Sequence, residues 1–250
     1  MRVAIASDIH GNKHAFQAVI RAAEQDGADE LWCLGDLVGY GAEPDACVAL
    51  AEAHCTICLA GNHDLAVVDV LSLDEFSRGA ALAARWTRDV IAPETRQYLL
   101  SLSPSGSSEG VGLFHASPRD PVWEYVLSAL AAELCFDATR YRISLIGHSH
   151  VALSFHRPDG EPATGTTRRD GAQVDLRSGE WLLNPGSTGQ PRDGDARAAW
   201  MVLDTERLTA TWRRAEYDIA GAQAAIRAAN LPDSLAERPV SYTHLTLPTN

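Results

Sequence analysis

Seven side chains that can bind metal ions follow short apolar runs in this chain. They are Asp8, His10, Asp36, Asn62, His115, His148 and His150. Carboxylate, amide and imidazole donors without a thiolate favour manganese, iron, zinc, cobalt or nickel over calcium or a structural zinc cluster. Seven donors are too many for one ion of ordinary coordination, and they suit two ions that share a carboxylate. Taken singly, each residue is equally well explained as a capped turn or a satisfied core histidine, but the set predicts a centre of two divalent metal ions.

The donors are expected to lie where strands end. Apolar and β-branched residues fill five runs, at positions 3–7, 31–34, 56–60, 111–114 and 143–146. Open α/β sheets keep their sites at the ends of such strands. Two donor pairs have i, i+2 spacing, namely Asp8 with His10 and His148 with His150. Both members of a pair reach one site only if the backbone turns, and Gly11 and Gly147 make that turn available.

The order of the patterns predicts an α/β fold. The chain starts with a strand, a helix at 14–27 and a second strand at 30–34, which is a βαβ unit with parallel strands. Further helices are expected at 44–53, 72–91 with Ser72 and Glu75 as capping box, 93–102, 128–136 and 219–229. Later strands are expected at 151–156, 173–176, 181–184, 198–204 and 208–216. This order predicts two sheets packed face to face with helices outside.

A single domain is expected over residues 1–239. At 250 residues with 46% hydrophobic content, the chain is long enough for one large α/β core. Residues 103–110 are interpreted as a polar turn, and residues 157–171 as a flexible loop because they are poor in apolar side chains. Residues 240–250 match what one reading frame of a widely used transposon sequencing adapter encodes, so we predict that they are not part of the fold. A genuine polar tail is the alternative.

Charge and cysteine content exclude several classes of partner. A formal net charge of -12 argues against sequence-independent binding of duplex nucleic acid or of an anionic membrane, since either needs a basic surface. No run approaches the roughly 20 apolar residues of a membrane span. Five cysteines without an even disulfide framework, in a chain without a signal-peptide pattern, predict a reducing, cytoplasmic location. Any phosphate-bearing substrate must be held by local charge, which metal ions supply. Nothing in the sequence indicates the oligomeric state.

Read in order, the donors form a longer pattern. Asp-x-His, Gly-Asp, Gly-Asn-His-Asp, His and Gly-His-x-His follow one another between residues 8 and 150, and this order resembles that of the calcineurin-like metallophosphoesterases. The resemblance implies the four-layer α/β/β/α fold of that family, with two mixed sheets, and it implies that Asp36 bridges two ions. One ion would be held by Asp8, His10, Asp36 and His150, and the other by Asp36, Asn62, His115 and His148. Manganese is the first expectation, with iron, zinc, nickel or cobalt as alternatives.

The resemblance also implies catalytic roles for two residues beside the donors. His63 would not bind metal; it would lie beside the phosphate, stabilise the developing charge and protonate the leaving oxygen, with Asp64 as its orienting partner. A hydroxide that bridges the two ions would attack phosphorus in line. The implied protein is a metal-dependent hydrolase of small phosphate esters, a phosphodiesterase before a monoesterase.

Two stretches bear on the substrate. Residues 184–194 resemble the second-sheet loop of the small bacterial phosphodiesterase branch, so Arg192 is a candidate phosphate contact, with a solvated Arg192 on a structural turn as the alternative. Asn12 is a second candidate for substrate contact. After Asp36 the chain lacks the arginine that protein phosphatases and dinucleoside tetraphosphate hydrolases usually carry there. Small phosphodiesters are therefore favoured. The alternatives are a phosphoprotein phosphatase, a dinucleoside polyphosphate hydrolase, a metal-binding scaffold without turnover, and a domain with one structural metal.

Overall fold

Two β-sheets with helices on their outer faces make up the fold. A computed structural model describes residues 1–241 of the chain and the side chains of residues 1–238. In this part of the chain the strands are β1 (Arg2–Ala6), β2 (Glu30–Cys33), β3 (Ile57–Cys58), β4 (Ser105–Ser108), β5 (Val111–Phe114), β6 (Ile143–Leu145), β7 (Ala152–Arg157), β8 (Thr164–Thr167), β9 (Gln173–Asp175), β10 (Glu180–Pro185), β11 (Ala198–Asp204) and β12 (Thr209–Ala215). The helices are α1 (Lys13–Gln25), α2 (Pro44–His54), α3 (Asn62–Val67), α4 (Arg78–Val90), α5 (Pro93–Ser101), α6 (Ala129–Ala138), α7 (Ile219–Ala228) and α8 (Asp233–Ser241).

Both sheets mix parallel with antiparallel pairs. Each has six strands, in the order β3-β2-β1-β11-β12-β9 for the first sheet and β4-β5-β6-β10-β7-β8 for the second. β1 is parallel to β2 and antiparallel to β11, so that Ala4 lies opposite Leu31 on one side and Val202 on the other. β6 is parallel to both β5 and β10. The predicted βαβ unit and the predicted pair of mixed sheets are confirmed.

The two faces of β1 pack into different cores because side chains alternate along a strand. Ala4 shares a core with Phe16 of α1, whereas Ile5 shares one with Leu145 and Leu183 of the second sheet. A third core joins the outer face of the second sheet to α6, around Phe136. Burying a side chain as large as Ile or Leu stabilises the fold by about 1.5–3 kcal/mol. The three cores lie between four packed layers, α/β/β/α, as the resemblance implied.

The helix expected at 72–91 starts later than predicted. It is α4, and Ser77 instead of Ser72 caps it by accepting a hydrogen bond from the backbone N–H of Ala80. The hydroxyl of Ser72 donates to the side chain of Asp74, at 2.7 Å, and this local bond holds a turn ahead of the helix. The serine nearest the apolar pattern therefore takes the capping position.

Polar residues form strands where a turn and a loop were predicted. The turn expected at 103–110 contains β4, and the flexible loop expected at 157–171 contains β8. Both lie at edges of the second sheet, paired antiparallel with β5 and β7. Strand pairing uses backbone groups, so it does not require the apolar side chains on which the prediction relied.

Two helices were not predicted. The tetrapeptide 61–64 leads directly into α3, and α8 follows α7 near the end of the described chain. Residues 242–250, which make up most of the predicted tail, lie outside the described residues, and α8 extends to Ser241. No helix within residues 1–241 has the length and apolar character that crossing a membrane requires.

Candidate metal centre

All seven predicted donors come from the chain just after a strand, and all are buried. Their loops follow β1, β2, β3, β5 and β6, and Asn62 is the first residue of α3. None of the seven is more than 4% exposed. The loops after β1 and β2 are joined by backbone hydrogen bonds from Asp8 to Gly35, at 3.0 Å, and from His10 to Asp36, at 2.8 Å. The donors therefore lie on backbone that neighbouring loops hold in place.

Five of the donors have left-handed backbone conformations. Their φ angles lie between 50° and 62°, at Asp8, His10, Asp36, His148 and His150. A residue other than glycine rarely adopts this region, although Asp and His do so more often than most, and each instance costs on the order of 1–3 kcal/mol. The turn that brings residues i and i+2 to one site is thus made by the donors themselves.

Gly147 has a different role from the one predicted. It is not among the residues with positive φ, whereas Gly11 has a φ of 60°. A Cβ atom at Gly147 would collide with the hydroxyl of Ser7 and lie 3.1 Å from Oδ2 of Asp8. Glycine is therefore required here because two loops approach closely, and the turn itself does not need it.

The donor atoms form two clusters that share one carboxylate. The first cluster is Asp8, His10, Asp36 and His150, and the second is Asp36, His115 and His148; within each, the ligand atoms lie within 4.8 Å of one another. Oδ2 of Asp36 lies 3.5 Å from Nε2 of His10 and 3.6 Å from Nε2 of His115. Oδ1 of Asn62 lies 3.3 Å from Nε2 of His115, beside the second cluster. The clusters match the division of donors that the resemblance implied.

Backbone carbonyls orient three of the imidazoles. Nδ1 of His10 lies 3.2 Å from the carbonyl oxygen of Val38, Nδ1 of His115 lies 2.9 Å from that of Leu34, and Nδ1 of His150 lies 2.7 Å from that of Gln190. A carbonyl only accepts, so Nδ1 carries the proton and Nε2 presents its lone pair. This tautomer is the one that binds metal through Nε2.

Several buried polar atoms in the centre need a cation. Nε2 of His10 lies 2.9 Å from Nε2 of His150, which sets two lone pairs against each other. Oδ2 of Asp36 and Nε2 of His148 are buried and have no hydrogen-bond partner among the described residues. Unsatisfied buried polar atoms are costly, and a divalent ion in each cluster would satisfy all of them. The residues present therefore fit two metal ions.

Burial also sets the ionisation of the centre. It lowers the pKa of four imidazoles well below the ordinary value, namely those of His10, His63, His148 and His150. These rings are therefore neutral at neutral pH. Burial raises the pKa of Asp8 to about 7 and raises that of Asp36 well above its ordinary value. Bound cations would favour the ionised form of both carboxyls, because the interaction with positive charge opposes the cost of burial.

A model of the calcineurin-like phosphoesterase superfamily domain matches residues 1–208 of this chain. The chain belongs to the calcineurin-like phosphoesterase superfamily. An uncharacterised protein of Methanocaldococcus jannaschii is 35% identical to this phosphoesterase-family chain over 243 residues, which are 94% of this chain and 96% of that protein. Membership supports a hydrolase of phosphate esters, and the clusters described above are where such a phosphoesterase would hold metal.

Two solved structures extend the comparison to the fold. The crystal structure of a metallophosphoesterase from Sphaerobacter thermophilus superposes with a TM-score of 0.87 at 40% identity, covering 96% of this chain and 98% of that one. The crystal structure of a hypothetical protein from Pyrococcus horikoshii OT3 superposes with a TM-score of 0.76 at 18% identity, covering 98% of this chain and 99% of that one. The second likeness concerns the fold alone.

His63 and Asp64 lie beside the clusters of the phosphoesterase, but they do not pair. The ring of His63 packs against those of His10 and Tyr40, with centroids 4.8 and 4.6 Å away, and its Nδ1 has no hydrogen-bond partner among the described residues. The carboxylate of Asp64 accepts from the backbone N–H groups of Val38, at 3.0 Å, and Gly61, at 2.9 Å. Asp64 therefore positions two loops, and its hydrogen bonds within the described residues go to backbone N–H groups and not to His63.

The two predicted substrate contacts of the phosphoesterase differ in placement. Oδ1 of Asn12 caps α1 by accepting from Ala15, at 3.1 Å, and its amide donates to the carbonyl of Gly189, at 3.0 Å. Asn12 thus has a structural role, and its contact with substrate stays a prediction. Arg192 lies close to the clusters: its charge lowers the pKa of His63, after burial as the main cause, and its guanidinium donates to Oε1 of Gln190, at 3.0 Å.

The loop that carries Arg192 closes one side of the phosphoesterase centre. The backbone N–H of Gly189 and the hydroxyl of Ser187 both donate to the carbonyl of Asp8, at 3.0 and 2.7 Å. Gln190 provides the carbonyl that orients His150. The prediction that residues 184–194 lie along the cleft agrees with this placement.

Sequence reasoning missed the aromatic residues and the second arginine around the centre of the phosphoesterase. They are Tyr40, Phe76, Trp123, Tyr125 and Arg238. The guanidinium of Arg238, on α8, lies 4.7 Å from the centroid of the Tyr40 ring. Tyr40 follows the Gly-Asp motif closely, which is a signal that could have found it. The others lie on loops or on an unpredicted helix, far from any motif.

Proposed function

We propose that the protein is a dinuclear-metal phosphodiesterase that hydrolyses small phosphodiesters, with phosphomonoesters as the second substrate class. The observation that carries this proposal is the shared carboxylate: Oδ2 of Asp36 lies within 3.6 Å of an imidazole from each cluster. The backbone N–H of His63 donates to the other oxygen of the same carboxylate, at 2.9 Å. A bridging ligand and the proposed catalytic histidine are therefore joined directly.

When bound, two divalent ions would provide a nucleophile at neutral pH and neutralise the oxygens of the phosphate. Manganese is proposed first for both positions, with iron, zinc, nickel or cobalt as alternatives, because all donors are carboxylate, amide or imidazole. The first position would use Asp8, His10, Asp36 and His150, and the second Asp36, Asn62, His115 and His148.

His63 supplies the remaining proton chemistry. Burial keeps its imidazole neutral, so in the resting protein it offers one N–H as a hydrogen-bond donor to a phosphate oxygen. An anionic phosphate beside the ring would raise its pKa, since a nearby negative charge favours the imidazolium. His63 can then give its proton to the leaving oxygen. Arg192 would contribute positive charge to the phosphate in a chain whose net charge is -12.

The substrate is proposed to be small because the loop after Asp36 lacks an arginine for large phosphoprotein or dinucleoside substrates.

No duplex nucleic acid and no membrane surface is proposed as a partner, since the net charge of -12 opposes both. The cytoplasm stays the proposed location. A scaffold without turnover is disfavoured because every donor and His63 are present.

The test is hydrolysis of bis(p-nitrophenyl) phosphate by protein loaded separately with each candidate metal. We expect turnover, and we expect His63→Ala and Asp36→Asn each to lower kcat/KM by at least about 100-fold. Matched controls are His54→Ala and Asp159→Asn, at exposed positions on the surface. Unchanged rates in both site variants would overturn the proposal. Parallel assays with p-nitrophenyl phosphate, a phosphopeptide and a dinucleoside tetraphosphate separate the alternatives.

A further inference from the structure

Three aromatic side chains outside the donor set form a chain of ring contacts that starts at the imidazoles of His63 and His148. Phe76 packs edge-on against His63, with centroids 5.0 Å apart and planes at 88°. Trp123 packs against Phe76, with centroids 5.2 Å apart. Tyr125 stacks on His148, with centroids 4.1 Å apart and planes at 26°. We call Phe76, Trp123 and Tyr125 the aromatic rim.

The loop that carries two members of the aromatic rim is held by its own hydrogen bonds. The hydroxyl of Ser117 donates to the carboxylate of Glu124, at 2.5 Å, and accepts from the backbone N–H of Asp120, at 3.0 Å. Oδ1 of Asp120 accepts from the backbone N–H of Trp123, at 3.1 Å. Tyr125, in the same loop, stacks on the ring of His148. The loop is therefore pre-organised and attached to a predicted metal ligand.

The aromatic rim keeps surface open to solvent. Tyr125 is 47% exposed although one face of its ring lies on His148. Partial burial raises the pKa of its hydroxyl, and the positive charge of the nearby Arg192, the predicted phosphate contact, opposes that rise. A flat group stacked on the rim would therefore carry an attached phosphate toward both Arg192 and the metal clusters. Aromatic rings whose only role was to pack against the histidines would stabilise the fold more if they were buried than if they were exposed.

We propose that the aromatic rim is a stacking subsite, so that the substrates are phosphate esters that carry a flat aromatic ring such as a nucleobase. This inference rests on the proposed phosphoesterase function and names the substrate class of the same site. Aromatic side chains stack on any nucleobase because every base has a π-face, and the same chemistry accepts an aryl group.

Binding measurements test the subsite without requiring turnover. Calorimetry on metal-loaded protein compares adenosine 5′-monophosphate with ribose 5-phosphate, which has a hydroxyl group in place of the base. We expect the nucleotide to bind about tenfold more tightly. A second pair, phenyl phosphate and cyclohexyl phosphate, compares an aromatic ring with a saturated ring. An advantage for both aromatic members indicates a subsite for any flat ring, whereas an advantage for the nucleotide alone indicates a subsite for nucleobases.

Variants assign the effect to the aromatic rim. Tyr125→Leu and Trp123→Leu should each bring the affinity ratio of nucleotide to sugar phosphate toward one, while Tyr125→Phe keeps the ring and should keep the ratio. Tyr141→Leu, on a loop away from the site, is the matched control, and circular dichroism checks that each variant is folded. A ratio near one in the wild type, or a ratio unchanged in both leucine variants, overturns the subsite. Ring-dependent binding without hydrolysis of any ester overturns the proposed function and leaves the subsite standing.

Discussion

The carboxylate of Asp36 accepts a hydrogen bond from the backbone N–H of His63, at 2.9 Å. One oxygen of Asp36 is thereby directed at the start of α3, and the other faces His10 and His115. The ligand proposed to bridge two ions and the residue proposed to protonate the leaving oxygen cannot move independently. This connection explains why the Gly-Asn-His-Asp motif lies next to the carboxylate of a different loop.

Gly61→Ala should disrupt the centre by steric contact alone. A Cβ atom at Gly61 would overlap the carboxylate and the backbone nitrogen of Asp36. We expect the free energy of unfolding to fall by about 1–3 kcal/mol and metal affinity to fall by about 10–100-fold, measured by denaturant titration and calorimetry. Gly106→Ala is the control, since its added Cβ would make only an ordinary contact with Leu59, at 3.7 Å. Equal behaviour of the two variants would contradict the explanation.

Asp64→Asn should lower stability more than it alters chemistry. Both carboxylate oxygens accept from backbone N–H groups, and the asparagine amide would set an N–H₂ group against one of them. We expect a loss of about 1–3 kcal/mol in the free energy of unfolding and a smaller loss of kcat than in His63→Ala. Urea unfolding and steady-state kinetics measure both quantities. Unaltered stability with a loss of kcat as large as that of His63→Ala would restore a catalytic role for Asp64.

Metal removal should destabilise the protein. The lone pairs on Nε2 of His10 and His150 face each other at 2.9 Å, and two buried carboxyls share the same space. Saturating metal at 100 times its Kd should raise the free energy of unfolding by about 2.7 kcal/mol relative to chelated protein. Thermal melts with and without chelator measure the difference, and it should shrink in Asp36→Asn but not in Asp159→Asn. Identical melts for loaded and chelated wild type would argue against metal binding.

Arg238→Gln should raise the pKa of His63. Burial is the main cause that lowers this pKa, and the charges of Arg192 and Arg238 lower it further by opposing the imidazolium. Removing one positive charge favours the protonated ring, which is the form that protonates the leaving oxygen, so the basic limb of the pH dependence of kcat/KM should move to higher pH, by less than about one unit. Arg85→Gln, at an exposed position on α4, is the control. A limb that stays in place or moves to lower pH would contradict this electrostatic role.

The strands that carry the donors could be predicted because their signals are local. Val3 to Ala6 alternate between two cores, and the polar residue that follows each buried run lies at the end of its strand. The donors could be identified because the motifs give them in chain order, and six of the seven lie in the two clusters. The left-handed φ of Asp8 could not be predicted, because it follows from the loop after β2 that binds its backbone.

Contacts between distant, irregular segments escaped sequence reasoning. Tyr125 and His148 meet through a loop whose shape depends on the side chain of Ser117, and no periodicity marks such a loop. Arg238 reaches Tyr40 only because α8 packs there, and the two residues are far apart in the sequence. Strand β4 consists of small polar residues, so its pairing with β5 is visible only when both strands are seen together.

The arrangement of β1 has a consequence for biosynthesis. β1 pairs with β11 on one side, and the backbone carbonyl of Asp8, just after β1, accepts hydrogen bonds from Ser187 and Gly189. The last predicted donor, His150, therefore leaves the ribosome well before the segments that hold the first one. We expect a nascent chain to bind its ions only after residue 204 has emerged, because β11 can then pair with β1.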